Sequence, residues 1–345
     1  MPKLAYVPAE GWYPDKGEEI TVQSLTCTPW DYYVLSFETK AAADGYCSVV
    51  FYSVSGQPLV DDIYNRIYKS QGWQKCEGLI RAREEAESFR FRLHNCGQNE
   101  FRNFEIRRVD LTGAEVWQDR LYASLPPIRP AADACRLDRL PRLKKILKEG
   151  GNVRIVMLGD SIINDTSNSN FEVLLSRSFP AVTFSVIISV RGSTGCWYYQ
   201  DPEQLRTYVF EKKPDLLVIG GISHKRDRAA VESVIRQVQA ADKCEILLLS
   251  GPMDKDWRKN DPDCKEAGLP AQTWERDSFN DELITLADET GIAMYDHGAA
   301  WHEYLGASCK PFEWFHRDAV HADDRGKQIL GRLMHAYFAV SIHIV

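Results

Sequence analysis

The sequence lacks the features that mark several classes of protein. It contains no apolar run of about 18 residues or more, so it predicts no membrane-spanning helix. Residues 1–17 contain no apolar segment of the kind that forms the centre of a signal peptide. Its net charge of −7 supplies no basic surface for a nucleic acid or an anionic membrane. We therefore expect neither of these among its partners.

Cysteine is present, but without the spacing of a metal site. The nine cysteines include no CxxC or CxxH pair, and no cluster of histidine and aspartate has ligand spacing. We therefore predict no bound metal and no other cofactor. Cys76 and Cys96 lie in neighbouring candidate strands, where they either form a disulfide or remain separate thiols.

Short candidate strands fill the first third of the chain. In one of them Phe89, Phe91 and Leu93 alternate with polar residues, which is the pattern of a strand with one buried face. Several such strands with turn residues between them predict an antiparallel β-sandwich over residues 1–123. The candidate strands are residues 20–25, 32–39, 47–54, 88–95 and 103–111.

The period of the apolar pattern changes after a proline-containing segment. Residues 124–135 include three prolines, which neither a helix interior nor a central strand accommodates, so we place a linker there. Apolar strands then alternate with helices, from a strand at 153–158 to a last helix at 325–340. This alternation predicts an α/β domain at residues 136–345, with a parallel sheet between layers of helices.

Two short motifs bring a serine and a histidine to one edge of that predicted sheet. The strand 153–158 ends in Gly159-Asp160-Ser161, and Asp318-x-x-His321 precedes the last helix. Ligands bind at this carboxyl edge in open α/β sheets. An aspartate three residues before a histidine can orient the imidazole as a general base for a serine across the site. We therefore predict that Ser161, His321 and Asp318 form a catalytic triad.

The order of four short segments resembles that of the SGNH, or GDSL-type, hydrolases. The resemblance covers residues 153–338 and implies a flavodoxin-like, three-layer α/β/α fold. It implies that Ser161 attacks an acyl carbonyl, that His321 is the general base and that Asp318 orients it. More loosely, residues 1–123 resemble the jelly-roll modules of carbohydrate esterases, which bind glycan or only brace the catalytic domain. The four segments are Gly159-Asp160-Ser161-Ile162, Arg191-Gly192-Ser193-Thr194-Gly195, Gly220-Gly221-Ile222-Ser223 and Asp318-x-x-His321.

The resemblance also implies an oxyanion hole. Its donors in the family are the N–H of the serine, here Ser161, a glycine N–H after the second strand and an asparagine side chain after the third. For the glycine we favour Gly195, with Gly192 as the alternative. Ser223 stands where the family has asparagine, so its hydroxyl or the neighbouring side chain of His224 would have to donate. Losing one such donor costs roughly 100- to 1000-fold in rate.

Aromatic residues accompany the predicted site. The connection at residues 251–272 is long for an α/β loop and, with several tryptophans, could form the walls of a pocket. Flat apolar faces beside polar side chains suit a sugar ring better than a long acyl chain. By contrast, we assign Asn164 and Asp165 to turn chemistry and the start of the following helix. The residues predicted to contact substrate are Asp160, Trp197, Trp257 and Trp314.

The sequence favours a serine esterase that removes a small acyl group, most simply acetyl, from a carbohydrate through an acyl-Ser161 intermediate. One alternative is an esterase or thioesterase acting on a non-sugar acyl compound. Another, suggested by Ser223, is a non-catalytic glycan-binding protein on a degenerate SGNH scaffold. The resemblance favours a secreted or periplasmic protein if a leader peptide has been removed, and a cytoplasmic one otherwise.

Overall fold

The computed structural model describes most of the chain and divides it into two compact units, Met1–Ala123 and Ser124–Val345. No helix in the described parts is both long and apolar enough to cross a membrane. Residues 129–136, which include most of the predicted linker, lie outside the described residues. The described residues are 20–21, 25–59, 63–94, 98–128, 137–251, 278–318 and 320–339.

The first unit is a β-sandwich followed by one helix. Its elements in chain order are β1 (Ile20–Thr21), β2 (Leu25–Thr26), β3 (Tyr32–Lys40), β4 (Gly45–Tyr52), β5 (Ile63–Ile67), β6 (Gln74–Arg81), β7 (Ser88–His94), β8 (Glu100–Val109) and α1 (Leu111–Tyr122). One sheet has the order β1-β7-β4-β5, with β2 also paired to β7, and the other has the order β6-β3-β8. The pairing within both sheets is antiparallel, and the predicted sandwich is confirmed.

Aromatic side chains form much of the core between the two sheets. Phe89, Phe91 and Leu93 are each 1% exposed, which confirms the face predicted from their alternation. Phe37 from the opposite sheet lies 5.5 Å from Phe91 and stacks at 5.2 Å on Phe104, measured between ring centroids. Offset and edge contacts of this kind add to the burial of apolar area. These rings from both sheets therefore pack against one another in the core of the sandwich.

The structure adds elements to the first unit that the sequence did not predict. Strands β5 and β6 fall between the candidate strands, and α1 begins where the last candidate strand was expected to end. Helix α1 has an N-cap at Asp110, whose carboxylate accepts a hydrogen bond from the N–H of Gly113. An aspartate in that position is an ordinary helix-start signal, which the sequence analysis missed.

The pairing of Cys76 with Cys96 stays a prediction. Cys76 is partly buried on β6, and Cys96 lies outside the described residues.

The second unit is a parallel five-stranded sheet with helices. Its elements are α2 (Pro141–Glu149), β9 (Gly151–Gly159), α3 (Ser161–Ser167), α4 (Glu172–Ser178), β10 (Val182–Val190), α5 (Cys196–Tyr199), α6 (Pro202–Tyr208), β11 (Leu216–Ile219), α7 (Arg228–Ala241), β12 (Glu245–Leu249), α8 (Ser278–Thr290), β13 (Ala293–Tyr295), α9 (His297–Ser308) and α10 (Asp324–Ala339). Short 3₁₀ turns occur at Phe210–Lys212 and Phe312–Trp314.

The strand order of this sheet fixes where a site can form. The order β10-β9-β11-β12-β13 is parallel throughout, which is the flavodoxin-like arrangement and confirms the predicted fold class. The chain reverses its direction of winding between β9 and β11, so the loops after these two strands diverge and leave a crevice at their carboxyl ends. Both loops carry residues of the predicted site.

Two helices of the second unit follow strands directly. Helix α3 begins at Ser161, after β9. Helix α9 begins at His297, after β13. Both helices start at an aspartate N-cap, Asp160 or Asp296, whose carboxylate accepts backbone N–H groups.

Candidate active site

The turn after β9 presents Ser161 at the first position of a helix. A Cβ at Gly159 would lie 2.3 Å from the carbonyl oxygen of Gly220, so only glycine allows the ends of β9 and β11 to approach so closely. Asp160 then caps α3, and Ser161 follows as the first helical residue. The N–H of a first helical residue has no acceptor within the helix. Ser161 therefore offers both its hydroxyl and its N–H at the carboxyl edge of the sheet.

The loop before α10 places His321 against this serine. His321 Nε2 lies 2.8 Å from Ser161 Oγ, and His321 Nδ1 lies 2.9 Å from each carboxylate oxygen of Asp318. A carboxylate only accepts hydrogen bonds, so it fixes the proton on Nδ1 and leaves Nε2 as the acceptor for the serine hydroxyl. The three predicted residues thus stand in the geometry of a nucleophile, a base and an orienting acid.

Asp318 is held in its ionised form. Its burial acts to raise the pKa of the carboxyl group, but hydrogen bonds from His321 and from the N–H groups of Val320 and His321 outweigh that effect, and the pKa falls well below its ordinary value. The two N–H donors contact Oδ1 at 3.0 and 2.9 Å. Hydrogen bonding to the charged form explains this direction. Asp318 is therefore a stable negative partner for an imidazolium at His321.

The carboxylate of Asp160 accepts hydrogen bonds from backbone N–H groups. Its Oδ1 accepts from the N–H of Ile162 at 2.9 Å, and its Oδ2 accepts from the N–H groups of Ile222 and Ser223 at 2.8 Å each. The residue is 1% exposed. These bonds tie the loop after β11 to the turn that carries Ser161. This placement favours a structural role for Asp160 over the predicted contact with substrate.

The candidates for the oxyanion hole meet at the loops after β10 and β11. A Cβ at Gly195 would lie 2.4 Å from the carbonyl oxygen of Ser223 and 2.7 Å from the Cα of His224. Gly195 is buried in this contact, whereas Gly192 is exposed. The close approach of its backbone to Ser223 favours Gly195 over Gly192 as the glycine donor.

His224 is the less accessible of the two candidate side-chain donors. It is 3% exposed, and its Nδ1 accepts a hydrogen bond from the N–H of Cys196 at 3.3 Å. Burial lowers the pKa of His224, against an opposing effect of the Asp160 carboxylate, which favours the neutral imidazole. Ser223 is only partly buried. This difference favours the hydroxyl of Ser223 as the donor.

Two of the predicted tryptophans lie in the described residues, next to cations. Trp197 donates from Nε1 to the carbonyl of Ser223 at 2.9 Å, and Lys225 Nζ lies 3.7 Å from the centre of one of its rings. Trp314 contacts Arg325 and Lys310, which lie 4.5 and 4.9 Å from its ring centre. Trp197 is therefore linked to the loop of Ser223. Trp257 and most of the long connection before α8 lie outside the described residues.

The assignment of Asp165 to turn chemistry is wrong. Asp165 lies inside α3, is 1% exposed, and pairs with the buried Arg317 at 2.8 Å between Oδ1 and Nη1. The sequence around Arg317 predicts no role for it, although it directly precedes Asp318. An isolated arginine in a loop gives no sequence signal of burial, so only the structure reveals the pair. Asn164 is likewise buried inside α3, where it accepts a hydrogen bond from Asn168.

Among the residues that the structure describes, no group of three or more His, Cys, Asp or Glu side chains is arranged to hold a metal ion.

No protein-family model and no curated protein matches this chain. Its structure is similar to a two-domain esterase active on acetylated mannans, with 17% identity and a TM-score of 0.46 over 59% of this chain and 54% of the other, about half its length. An acetylxylan esterase from Geobacillus stearothermophilus is 15% identical, with a TM-score of 0.40 over 55% of this chain and 95% of that one.

A lipolytic protein of the G-D-S-L family from Desulfitobacterium hafniense DCB-2 is 14% identical, with a TM-score of 0.39 over 54% of this chain and 100% of that one. A family 16 carbohydrate-binding module is 10% identical, with a TM-score of 0.23 over 30% of this chain and 79% of that one. These neighbours are thus described as two esterases, a G-D-S-L family protein and a carbohydrate-binding module.

Proposed function

We propose that this protein is a serine esterase that removes a small acyl group, most simply acetyl, from a carbohydrate. The observation that carries the proposal is the chain of contacts from Ser161 Oγ through both nitrogens of His321 to Asp318, with distances of 2.8 and 2.9 Å. A serine hydroxyl is a weak nucleophile by itself and needs an adjacent base to become reactive. His321, held in one tautomer by an ionised Asp318, supplies that base.

The reaction follows from this arrangement. Ser161 Oγ bonds to the ester carbonyl carbon while its proton passes to His321 Nε2, and Asp318 stabilises the resulting imidazolium. The bond from carbonyl carbon to the sugar oxygen then breaks, and His321 gives the proton to that oxygen. Water, deprotonated by the now neutral His321, attacks the acyl-Ser161 carbonyl. The bond from the carbonyl carbon to Ser161 Oγ then breaks, and His321 returns the proton to that oxygen. The products are the carboxylic acid, the alcohol and free enzyme.

The N–H groups of Ser161 and Gly195 and the hydroxyl of Ser223 are the proposed donors to the oxyanion. All three lie on the loops that Asp160 and Gly195 bring together. Donors fixed in place before reaction stabilise the charge that develops on the carbonyl oxygen without reorganising.

A polar, ring-shaped leaving group is supported by the surroundings of Ser223. The indole of Trp197 is fixed to the Ser223 carbonyl and is partly exposed. Its apolar face beside polar side chains suits a sugar ring.

The test compares wild type with Ser161→Ala on p-nitrophenyl acetate and then on acetylated mannan and acetylxylan, with released acetate measured. We expect turnover by wild type, and loss of at least about 1000-fold in the variant. A faster reaction with acyl chains of eight carbons than with acetyl would instead favour a non-sugar acyl substrate. Glycan binding without turnover of any ester would contradict the proposal and favour a non-catalytic binding protein.

A further inference from the structure

Backbone hydrogen bonds join the two sides of the loop that carries His321. His316 and Ala322 form an antiparallel bridge, and the N–H of Arg317 donates to the carbonyl of His321 at 3.0 Å. The N–H of Asp323 donates to the carbonyl of Phe315 at 2.9 Å. These backbone bonds give the loop its shape, but they do not fix its distance from Ser161.

A buried ion pair connects this loop to the helix of the nucleophile. Asp165 lies about one turn after Ser161 in α3. Its Oδ1 accepts from Arg317 Nη1 at 2.8 Å, and its Oδ2 accepts from the N–H of Ala322 at 3.0 Å. The same Nη1 of Arg317 donates to the carbonyl of Ala322 at 2.7 Å. Both polar groups of the residue after His321 are therefore bound to one ion pair.

Arg317 also lies between two carboxylates. Its Nε is 3.9 Å from Asp318 Oδ2, while its Nη1 contacts Asp165. The side chains of Asp165 and Arg317 are 2% and 7% exposed. A buried pair of this kind is weak evidence for stability, because desolvation offsets much of the attraction between the charges. Its geometric effect is more specific: it joins the helix of Ser161, the loop of His321 and the neighbourhood of Asp318.

We propose that Asp165 and Arg317 are positioning residues that keep the His321 imidazole at hydrogen-bond distance from Ser161 Oγ. This inference rests on the proposed esterase function. Neither residue touches the reacting atoms; each acts through His321. A displacement of about 1 Å in a catalytic group can cost on the order of 100-fold in rate. The pair should therefore affect the acylation step more than the binding of substrate.

The test measures kcat and KM of Asp165→Asn with p-nitrophenyl acetate. We expect kcat to fall about 10- to 100-fold, with KM within about twofold of wild type. The rate at which a fluorophosphonate labels Ser161 should fall in parallel, because that reaction also needs the base. Circular dichroism at the assay temperature gives the folded fraction by which each rate is divided.

Glu245→Gln is the matched control. The Glu245 carboxylate accepts from the N–H groups of Arg142 and Leu143 at the start of β12, the edge of the sheet opposite the site. Glu245→Gln makes the same change from carboxylate to amide as Asp165→Asn, and we expect its kcat to stay within about twofold of wild type. If Asp165→Asn does not fold, the test uses Arg317→Lys in its place. Lysine keeps the positive charge, but its single nitrogen cannot lie against Asp165 and near Asp318 as Nη1 and Nε of the arginine do.

The double variant Asp165→Asn/Arg317→Lys should lose no more activity than the more damaged single variant, because the two residues act as a unit. An unchanged kcat per folded molecule in Asp165→Asn and Arg317→Lys would overturn the inference while leaving the esterase function intact. Wild type that hydrolyses no better than Ser161→Ala would overturn the esterase function, and this inference with it.

Discussion

The two halves of the candidate site are built in different ways. On the base side, side chains make the contacts: Asp318 to His321, His321 to Ser161, and the Asp165–Arg317 pair to the loop that carries them. On the oxyanion side, close backbone packing adds to the hydrogen bonds of Asp160, because Gly195 lies where any Cβ would meet the Ser223 carbonyl at 2.4 Å. The first half depends on particular functional groups, and the second depends also on the absence of a side chain at Gly195.

This difference predicts how substitutions in each half will change the rate of the reaction and the stability of the fold. A side-chain contact can be removed by an isosteric change that leaves the fold in place, so the base side should lose rate with little loss of stability. A glycine contact cannot be changed without moving a loop, so the oxyanion side should lose rate and stability together.

Asp318→Asn should have the largest effect of the changes to either half. Asparagine can keep the acceptor for the N–H groups of Val320 and His321, but it no longer selects the tautomer of His321 that accepts from Ser161. In a serine protease triad the same change lowers kcat about 10⁴-fold, and we expect a loss of that order in p-nitrophenyl acetate hydrolysis. A loss below about tenfold would show that the base side does not depend on this carboxylate.

Gly195→Ala should come next, and it should also lower stability. The new Cβ meets backbone atoms of Ser223 and His224, which cannot rotate away, so the loop must shift. We expect kcat to fall roughly 100- to 1000-fold and the free energy of unfolding to fall by about 1–3 kcal/mol. Activity assays and urea titrations measure the two effects.

Gly306→Ala is the control for that experiment. Gly306 lies in helix α9, and its added Cβ would have no neighbour within 4 Å. In a helix interior this change should raise the free energy of unfolding by about 0.5–1 kcal/mol, with unchanged activity. Equal changes in kcat and in the free energy of unfolding of Gly195→Ala and Gly306→Ala would contradict the role given to the packing of Gly195.

Ser223→Ala tests whether the oxyanion side contains any side-chain donor. If the Ser223 hydroxyl donates to the oxyanion, its removal should lower kcat about 100-fold, at the lower end of the range for such donors. Stability should change little, because Ser223 is partly exposed. Ser233→Ala, a similar change on helix α7, should leave kcat unaltered. An unchanged kcat in Ser223→Ala would leave the oxyanion to backbone N–H groups alone.

The sequence could predict the fold and the catalytic triad because local residue patterns record them. The parallel sheet and the sandwich followed from apolar periodicity, because burial of one or both faces of a strand is recorded directly in the residue pattern. Ser161, His321 and Asp318 could be proposed because a nucleophile, a base and an acid are recognisable residue types at the ends of elements. Such signals need no knowledge of distant contacts.

Other features depend on contacts between residues far apart in the chain. The burial of Asp165 follows from Arg317, 152 residues later, and no local pattern records that pairing. Asp160 carries a charge that suggests an exposed ligand for substrate, yet the N–H groups of Ile222 and Ser223 close around it. Helix α1 was missed for a different reason, since its N-cap at Asp110 was visible but adjoined a strand-like segment.

The smallest effect concerns the acid limb of the activity of wild type. Because the pKa of Asp318 lies well below its ordinary value, this carboxylate stays ionised as the pH falls from 7 to 5. Protonation of Asp318 therefore adds nothing to the acid limb of log kcat/KM, and its limiting slope should not exceed one. A slope of two would mean that Asp318 takes up a proton in this range, and that the base side is not preorganised.

Folding must be followed over the same range, because buried histidines oppose acidification. Burial lowers the pKa of His297 and of His302 from 6.5 to about 4. A histidine with a lowered pKa in the folded state contributes stability that is complete above pH 6.5 and is lost as the pH falls towards 4. Circular dichroism should therefore show a native signal at pH 7 and a lower unfolding temperature at pH 5. A fall in kcat/KM while that signal is intact belongs to the active site; a fall that follows the loss of signal belongs to unfolding.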